Sequence, residues 1–90
     1  AGYVRVDDAE REVRACRRVN AVVPAVLALA CRKAGVALAT FSSDLVFDGA
    51  TDVPYRESDR VQPLNVYGHS KAEAEHRVMA LDPKALVIRT

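Results

Sequence analysis

Apolar residues return at intervals of three and one positions through the first third of the chain, the spacing of a helix with one broad buried face. The pattern predicts a helix from about residue 10 to residue 34, and Gly35 supplies a terminator. Pro24 has no N–H for the carbonyl four residues earlier, so we expect a bend near Asn20 or a restart with Pro24 in the first turn. The predicted buried face consists of Val19, Val22, Val23, Val26, Leu27, Ala30, Cys31 and Ala34.

The rest of the chain contains two short apolar runs and one more helical pattern. Residues 36–41 and 85–88 are apolar on both faces, which is typical of buried parallel strands. The segment 49–63 is rich in Gly, Pro, Asp and Thr and predicts a loop, long enough to suggest a function. A helix is predicted over 66–81, with Asn65 as its cap. Its buried face is predicted to hold Tyr67, Ser70, Lys71, Ala74, Val78 and Leu81.

The order helix, strand, helix, strand predicts an α/β fold with a parallel sheet. Right-handed crossovers would place both helices on the same face of that sheet and leave the other face bare. Parallel sheets are normally covered on both faces, so we expect something outside these residues to cover it. The chain begins at Ala1 in mid-pattern and stops at Thr90 directly after a strand, as expected of a piece of a longer protein.

Composition narrows the class of protein. Thirteen Lys and Arg against twelve Asp and Glu give a net charge of +1, without the basic stripe of a nucleic-acid binder. The longest apolar run, 21–31, falls short of the roughly 18 residues that a membrane helix needs. Cys16 and Cys31 are expected to be free, buried thiols of a cytoplasmic protein. His69 and His76 have no third ligand in the sequence nearby, so no metal site is expected.

Tyr67 and Lys71 are four residues apart on the second predicted helix, so their side chains leave the same face. An ammonium group near a phenol favours the phenolate and would lower the pKa of Tyr67. Such a tyrosine can donate its proton to a carbonyl oxygen as hydride reaches the carbon. Ser43, at the end of the first predicted strand, could hold the same oxygen. The spacing alone also fits a tyrosine packed under a lysine stem.

The surrounding residues make the catalytic interpretation stronger. In order, they read SSDLVFDG over 42–49, PYRESD over 54–59 and PLNVYGHSK over 63–71. This arrangement closely resembles the extended short-chain dehydrogenase/reductase family, and within it the reductases of nucleotide-linked 4-keto sugars. The opening segment 1–10 resembles the loop after the family's fourth strand, and 87–90 resembles its sixth strand. The resemblance covers the whole chain.

The resemblance implies a Rossmann-like domain that uses NADPH or NADH, of which residues 1–90 would be a central part. The Gly-rich loop that holds the pyrophosphate would lie before Ala1 and a substrate region after Thr90. The family's catalytic triad falls on Ser43, Tyr67 and Lys71, and its substrate contact on Ser43 and Asp44. Its cofactor contacts fall on Ala1, Gly2, Tyr3, Val4, Tyr67 and Lys71.

The implied substrate is a nucleotide sugar, and the full-length protein would be a homodimer. Asn20 matches a helix asparagine that supports the active site in relatives, although a plain bend residue fits equally well. Leu45 departs from the family, which usually has an aromatic residue there in contact with the sugar. Two other functions stay open. Epimerases and dehydratases of nucleotide sugars commonly read Val-Tyr-Gly where this chain has Val46-Phe47-Asp48-Gly49, and a non-catalytic regulatory subunit of the methionine adenosyltransferase type has a very similar pattern.

Overall fold

The computed structural model describes residues 2–50 and 54–90. Two strands, β1 (Ala39–Ser42) and β2 (Leu86–Arg89), pair in parallel, with Ala39 opposite Leu86 and Ser42 opposite Arg89. The predicted α/β fold with a parallel sheet is therefore confirmed. The first strand begins three residues later than predicted because the residues after Ala34 first form the C-terminal cap of the preceding helix. Gly35 adopts φ +69°, and the Val36 N–H donates to the Cys31 carbonyl, a pairing that closes the helix.

The bent helix predicted over 10–34 is continuous over residues 13–34 and consists of three consecutive segments. After α1 (Val6–Ala9), which the pattern did not predict, come α2 (Val13–Arg17), a π-helical turn (Arg18–Val22) and α3 (Val23–Ala34). The helix starts at Val13 because the Asp8 carbonyl accepts hydrogen bonds from the N–H groups of Arg11 and Glu12 in an intervening turn. The π-helical turn contains Asn20, where the bend was expected, one turn before Pro24.

The second predicted helix, α4, runs over Val66–Leu81 as expected. The Asn65 side chain caps it by accepting a hydrogen bond from the Gly68 N–H at 2.6 Å. The Glu10 carboxylate accepts another from the Val66 N–H at 2.8 Å, so a residue distant in sequence also caps this helix. At the other end, Arg32 donates to the Leu81 carbonyl at 3.0 Å.

The helices cover one face of the sheet, as predicted. On this face Val87 packs against the cluster of Ala28, Val78 and Ala85, and Arg89 forms a two-point ion pair with Glu75 of α4 at 2.7 and 2.9 Å. On the opposite face Phe41 is 63% exposed and Leu86 is 59% exposed. The alternation along each strand therefore separates a helix-covered face from a bare one.

The buried face predicted for the first helix is wrong over α3. Val26 and Leu27 are 64% and 51% exposed, whereas Ala25 and Ala28 are buried. Alanine has a short side chain, so α3 can approach α4 and the sheet closely along its small residues. The buried face predicted for α4 is correct. Four of its residues, Tyr67, Ser70, Ala74 and Val78, are buried, and Lys71 and Leu81 are partly buried.

The remaining expectations concern thiols, metals and membranes. Both cysteines are free, Cys16 fully buried and Cys31 only partly so. Among residues 2–50 and 54–90, no three His, Cys, Asp or Glu side chains come close enough to hold a metal ion. Within the same ranges no helix is both long and apolar enough to cross a membrane.

Candidate active site

Tyr67 and Lys71 lie one turn apart at the start of α4, on the side that faces the sheet. Tyr67 is 9% exposed. The Lys71 ammonium lies 6.0 Å from the centre of the Tyr67 ring and donates a hydrogen bond to the Phe41 carbonyl of β1 at 3.1 Å. The bond to Phe41 places the pair beside the last residues of β1, near the carboxyl edge of the sheet.

The pKa of Tyr67 is raised above its ordinary value, which contradicts the sequence expectation of a lowered one. Burial is the main cause, and the neighbouring Cys16 and Asp44 raise it further. Burial also lowers the pKa of Lys71. The expected effect of Lys71 on the pKa of Tyr67 does not prevail. The Lys71 ammonium lies 6.0 Å from the centre of the Tyr67 ring and bonds to the Phe41 carbonyl, while burial removes most of the contact between Tyr67 and water.

Ser43 and Asp44 continue directly from the carboxyl end of β1. The Asp44 N–H donates to the Thr90 carbonyl at 3.0 Å. This bond continues the pairing between the two strands past their ends at Ser42 and Arg89. The Ser43 hydroxyl accepts a hydrogen bond from the Leu45 N–H at 3.1 Å and starts a short 3₁₀ helix, Asp44–Val46. Both residues therefore lie at the carboxyl edge of parallel strands, where open α/β sheets bind ligands.

Gly68 allows the first turn of α4 to lie against this 3₁₀ helix. A methyl group at Gly68 would collide with the Leu45 carbonyl, and it would also meet the Asn65 side chain at 3.0 Å. Leu45 itself packs against the cluster that contains Tyr67. The contact brings the Tyr67 turn together with the segment that starts at Ser43 and Asp44. Sequence reasoning did not give Gly68 this function.

The predicted cofactor loop is fixed to the interior through its backbone. Ala1 lies outside the described residues, and Gly2 and Val4 are exposed. The Tyr3 side chain is buried, and both polar groups of its backbone bond to the Asn20 amide at 2.8 Å, the N–H to Oδ1 and the carbonyl to Nδ2. Asn20 belongs to the π-helical turn, where the bend was expected, and it also anchors the loop at Tyr3. Its support of the active site stays a prediction.

Beyond the Ser43 segment, an aromatic stack ties the following loop to β2. The rings of Phe47 and Tyr55 lie 4.0 Å apart and almost parallel, and the Arg89 guanidinium lies 5.0 Å from the centre of the Phe47 ring. The Tyr55 hydroxyl donates to Asp48 at 3.2 Å. Arg89 also donates to the Glu57 carbonyl at 3.2 Å, so the described part of the loop is held beside the strand ends.

Together, a parallel α/β sheet, a helix with Tyr67 and Lys71 on its inner face, and Ser43 at the strand end define an extended short-chain dehydrogenase/reductase. Comparison with known families narrows this class. The sequence model of the RmlD substrate binding domain matches residues 1–90, and the chain belongs to that family.

Individual relatives agree with this assignment. The dTDP-4-dehydrorhamnose reductase of Aggregatibacter actinomycetemcomitans is 42% identical over 90 residues, which cover all of this chain and 31% of the relative. The crystal structure of the Clostridium acetobutylicum dTDP-4-dehydrorhamnose reductase superposes with a TM-score of 0.96 at 37% identity, over 99% of this chain and 32% of that one. The Bacillus anthracis dTDP-4-dehydrorhamnose reductase in complex with NADP gives 0.95 at 35% identity, with the same coverage. The chain thus spans about a third of the length of these proteins.

Proposed function

We propose that this chain is part of an NAD(P)H-dependent reductase that converts dTDP-4-dehydrorhamnose to dTDP-L-rhamnose. The observation that carries the proposal is the placement of Tyr67 and Lys71 on the inner face of α4, next to the strand ends that lead into Ser43 and Asp44. The names of the relatives supply the reaction and the nucleotide-sugar substrate.

In this proposal Tyr67 is the proton donor. Its raised pKa keeps the phenol protonated at neutral pH, which is the form that can give a proton to the carbonyl oxygen. Lys71 supplies positive charge on the same helix face and favours the phenolate left after the transfer. Ser43 holds the substrate oxygen, and Asp44, which is exposed, is the further substrate contact.

The described residues fit a nicotinamide cofactor. The Lys71 ammonium has three donors and uses one on the Phe41 carbonyl, and the Tyr67 phenol lies on the same face, a donor set suited to ribose hydroxyls. Gly2, Tyr3 and Val4 would line the cofactor from the loop that Asn20 anchors, together with Ala1. Bound NADPH or NADH would supply the hydride.

We further propose that residues 1–90 are part of an NAD(P)-binding Rossmann-like domain. The bare sheet face, where Phe41 and Leu86 are exposed, supports this because parallel sheets are covered on both sides. The free thiols of Cys16 and Cys31 fit a cytoplasmic location. The homodimer stays a prediction.

The test is hydride transfer by the complete protein. Purified protein is mixed with NADPH or NADH and dTDP-4-dehydrorhamnose, and cofactor oxidation and sugar product are followed together. We expect oxidation that depends on the sugar and yields one dTDP-L-rhamnose for each cofactor. Cofactor binding without turnover would contradict the reductase and favour a regulatory subunit. A 4-keto sugar that changes configuration without net cofactor oxidation would favour an epimerase.

A further inference from the structure

Ser70 lies between Tyr67 and Lys71 on the inner face of α4 and is not one of the proposed catalytic or cofactor-binding residues. It is 3% exposed. Its hydroxyl donates to the Tyr67 carbonyl at 2.6 Å and accepts from the Asn20 amide at 3.2 Å and from the Cys16 thiol at 3.4 Å. A serine hydroxyl has one donor and two acceptor positions, so its hydrogen-bonding capacity is fully used.

Through Asn20 this hydroxyl is connected to the cofactor loop. The Asn20 Nδ2 group that donates to Ser70 also donates to the Tyr3 carbonyl, while Oδ1 accepts from the Tyr3 N–H. A continuous chain of bonds therefore runs from the Tyr3 backbone through the Asn20 amide and the Ser70 hydroxyl to the Tyr67 carbonyl. Nδ2 also lies 3.7 Å from the Cys16 sulfur. With the amide rotated by half a turn, Nδ2 would face the Tyr3 N–H and Oδ1 would face the Tyr3 carbonyl, so the two bonds to the Tyr3 backbone fix the orientation of the planar group.

The far end of this chain is the backbone of the catalytic turn. In an α-helix the carbonyl of Tyr67 is also the acceptor for the Lys71 N–H, four residues on. A hydroxyl bonded to that carbonyl fixes the turn on which both side chains are carried. Each group in the chain is buried, where an unmade hydrogen bond is costly and a complete network holds one geometry.

We infer that Ser70 is a positioning residue that couples the cofactor loop at Tyr3 to the Tyr67–Lys71 pair, so that cofactor binding and proton donation share one rigid support. The inference rests on the proposed function, because it assigns a nicotinamide cofactor to the loop. Other buried residues of α4 only stabilise the fold. Val78, two turns after Ser70, is one of them, because it packs in an apolar cluster.

The test compares Ser70→Ala with Val78→Ala in the complete protein. Three quantities are measured: the melting temperature, the Kd for NADPH, and hydrogen exchange of the Tyr3 amide without cofactor. Because Ser70→Ala leaves the buried Asn20 donor to Ser70 with only the weak Cys16 sulfur acceptor at 3.7 Å, we expect NADPH to bind about tenfold more weakly. We also expect faster exchange at Tyr3 and a lower kcat. Val78→Ala should lower the melting temperature and leave both Tyr3 exchange and the Kd unchanged.

A second variant checks that the effect travels through Asn20. Asn20→Asp keeps an acceptor for the Tyr3 N–H but removes the donors to the Tyr3 carbonyl and Ser70. If the chain of bonds acts as a unit, the double variant should bind NADPH no more weakly than the worse single variant. A Ser70→Ala protein with normal Tyr3 exchange and normal Kd would overturn the inference. If the wild type binds neither NADPH nor NADH, the proposed function fails, and Tyr3 exchange alone then decides the coupling.

Discussion

Helices α3 and α4 are both predicted by helical periodicity, yet only α4 buries the face that its pattern predicts. In α4, polar residues such as Glu73 and His76 lie between the buried positions and mark where the buried face ends. In α3, nearly every position from Val23 to Ala30 is apolar, so periodicity alone does not choose a face. The buried face of α3 is the one with the smallest side chains. Close approach, which hydrophobicity does not describe, therefore decides the packing of α3.

The inner face of α4 differs from that of α3 in a second way, because it carries polar groups. Ser70 bonds to Asn20 and Cys16, and Tyr67 packs beside them. On the inner face of α3, Ala28 packs against Val78 and Ala85, an apolar contact. Changes at the start of the inner face of α4, around Tyr67 and Ser70, should therefore affect chemistry, whereas changes on the inner face of α3 should affect only stability.

The largest effect is expected for Tyr67→Phe in the complete protein. The change removes only the phenol oxygen, so packing in the buried cluster survives while the proton donor is lost. General acid catalysis typically contributes about 100- to 10,000-fold, and kcat should fall by a factor in that range. Steady-state kinetics with saturating cofactor measure this, and the melting temperature should change little.

The control is Tyr55→Phe, the same change at a tyrosine whose hydroxyl bonds to Asp48 in the loop. We expect a kcat close to that of the wild type. A Tyr67→Phe enzyme with near-normal turnover would exclude Tyr67 as the proton donor. Tyr67 would then contribute to the packing of α4 and not to catalysis.

Gly68→Ala tests whether the first turn of α4 is held against the Ser43 segment. Elsewhere in a helix this substitution stabilises by roughly 0.5–1 kcal/mol, because alanine has the higher helix propensity. Here the new methyl group meets the Leu45 carbonyl, so the segment has to move. We expect a loss of about 2 kcal/mol in the free energy of unfolding, as for overpacking, together with a lower kcat. Denaturant titration that shows a more stable variant would contradict the contact.

Ala28→Leu tests the small-residue face of α3. Ala28 is fully buried against Val78 and Ala85, so three extra carbon atoms should overpack this site and cost about 1–3 kcal/mol. Ala30→Leu is the matched control, since the same change falls on an exposed position of the same helix. Equal melting temperatures for the two variants would show that α3 does not rely on close approach. Kinetic constants per folded molecule should match the wild type in both.

The sequence was sufficient for the parallel sheet, for α4 with its Asn65 cap, and for one helical layer. These features depend on local periodicity and on residues that are close in sequence. It was insufficient for the Gly68 contact and for the bonds from Asn20 to Tyr3 and Ser70, which join residues between 17 and 50 positions apart. Ser70 did fall on the predicted buried face of α4, and a buried hydroxyl next to the proposed catalytic pair is the signal that could have identified it. The direction of the Tyr67 pKa shift was predicted wrongly because the sequence shows the nearby charge but not the burial.

The smallest effect expected concerns the pH dependence of stability, and it follows from that pKa. In the folded protein the pKa of Tyr67 lies above its value in the unfolded chain, which is about 10. The folded state therefore keeps a proton that the unfolded state releases, so the stabilising contribution is complete below about pH 10 and declines as the pH rises through the folded pKa.

Tyr67→Phe has no phenol to ionise and should lack this part of the alkaline decline. Tyr3 and Tyr55 also have raised pKa values, so the wild type and the variant have to be compared at each pH. Unfolding free energies measured from about pH 8 to about pH 11 should show the wild type losing stability more steeply than Tyr67→Phe. Parallel curves would mean that the Tyr67 phenol is as hydrated in the folded protein as in the unfolded chain. This result would contradict the burial of Tyr67 at the start of α4.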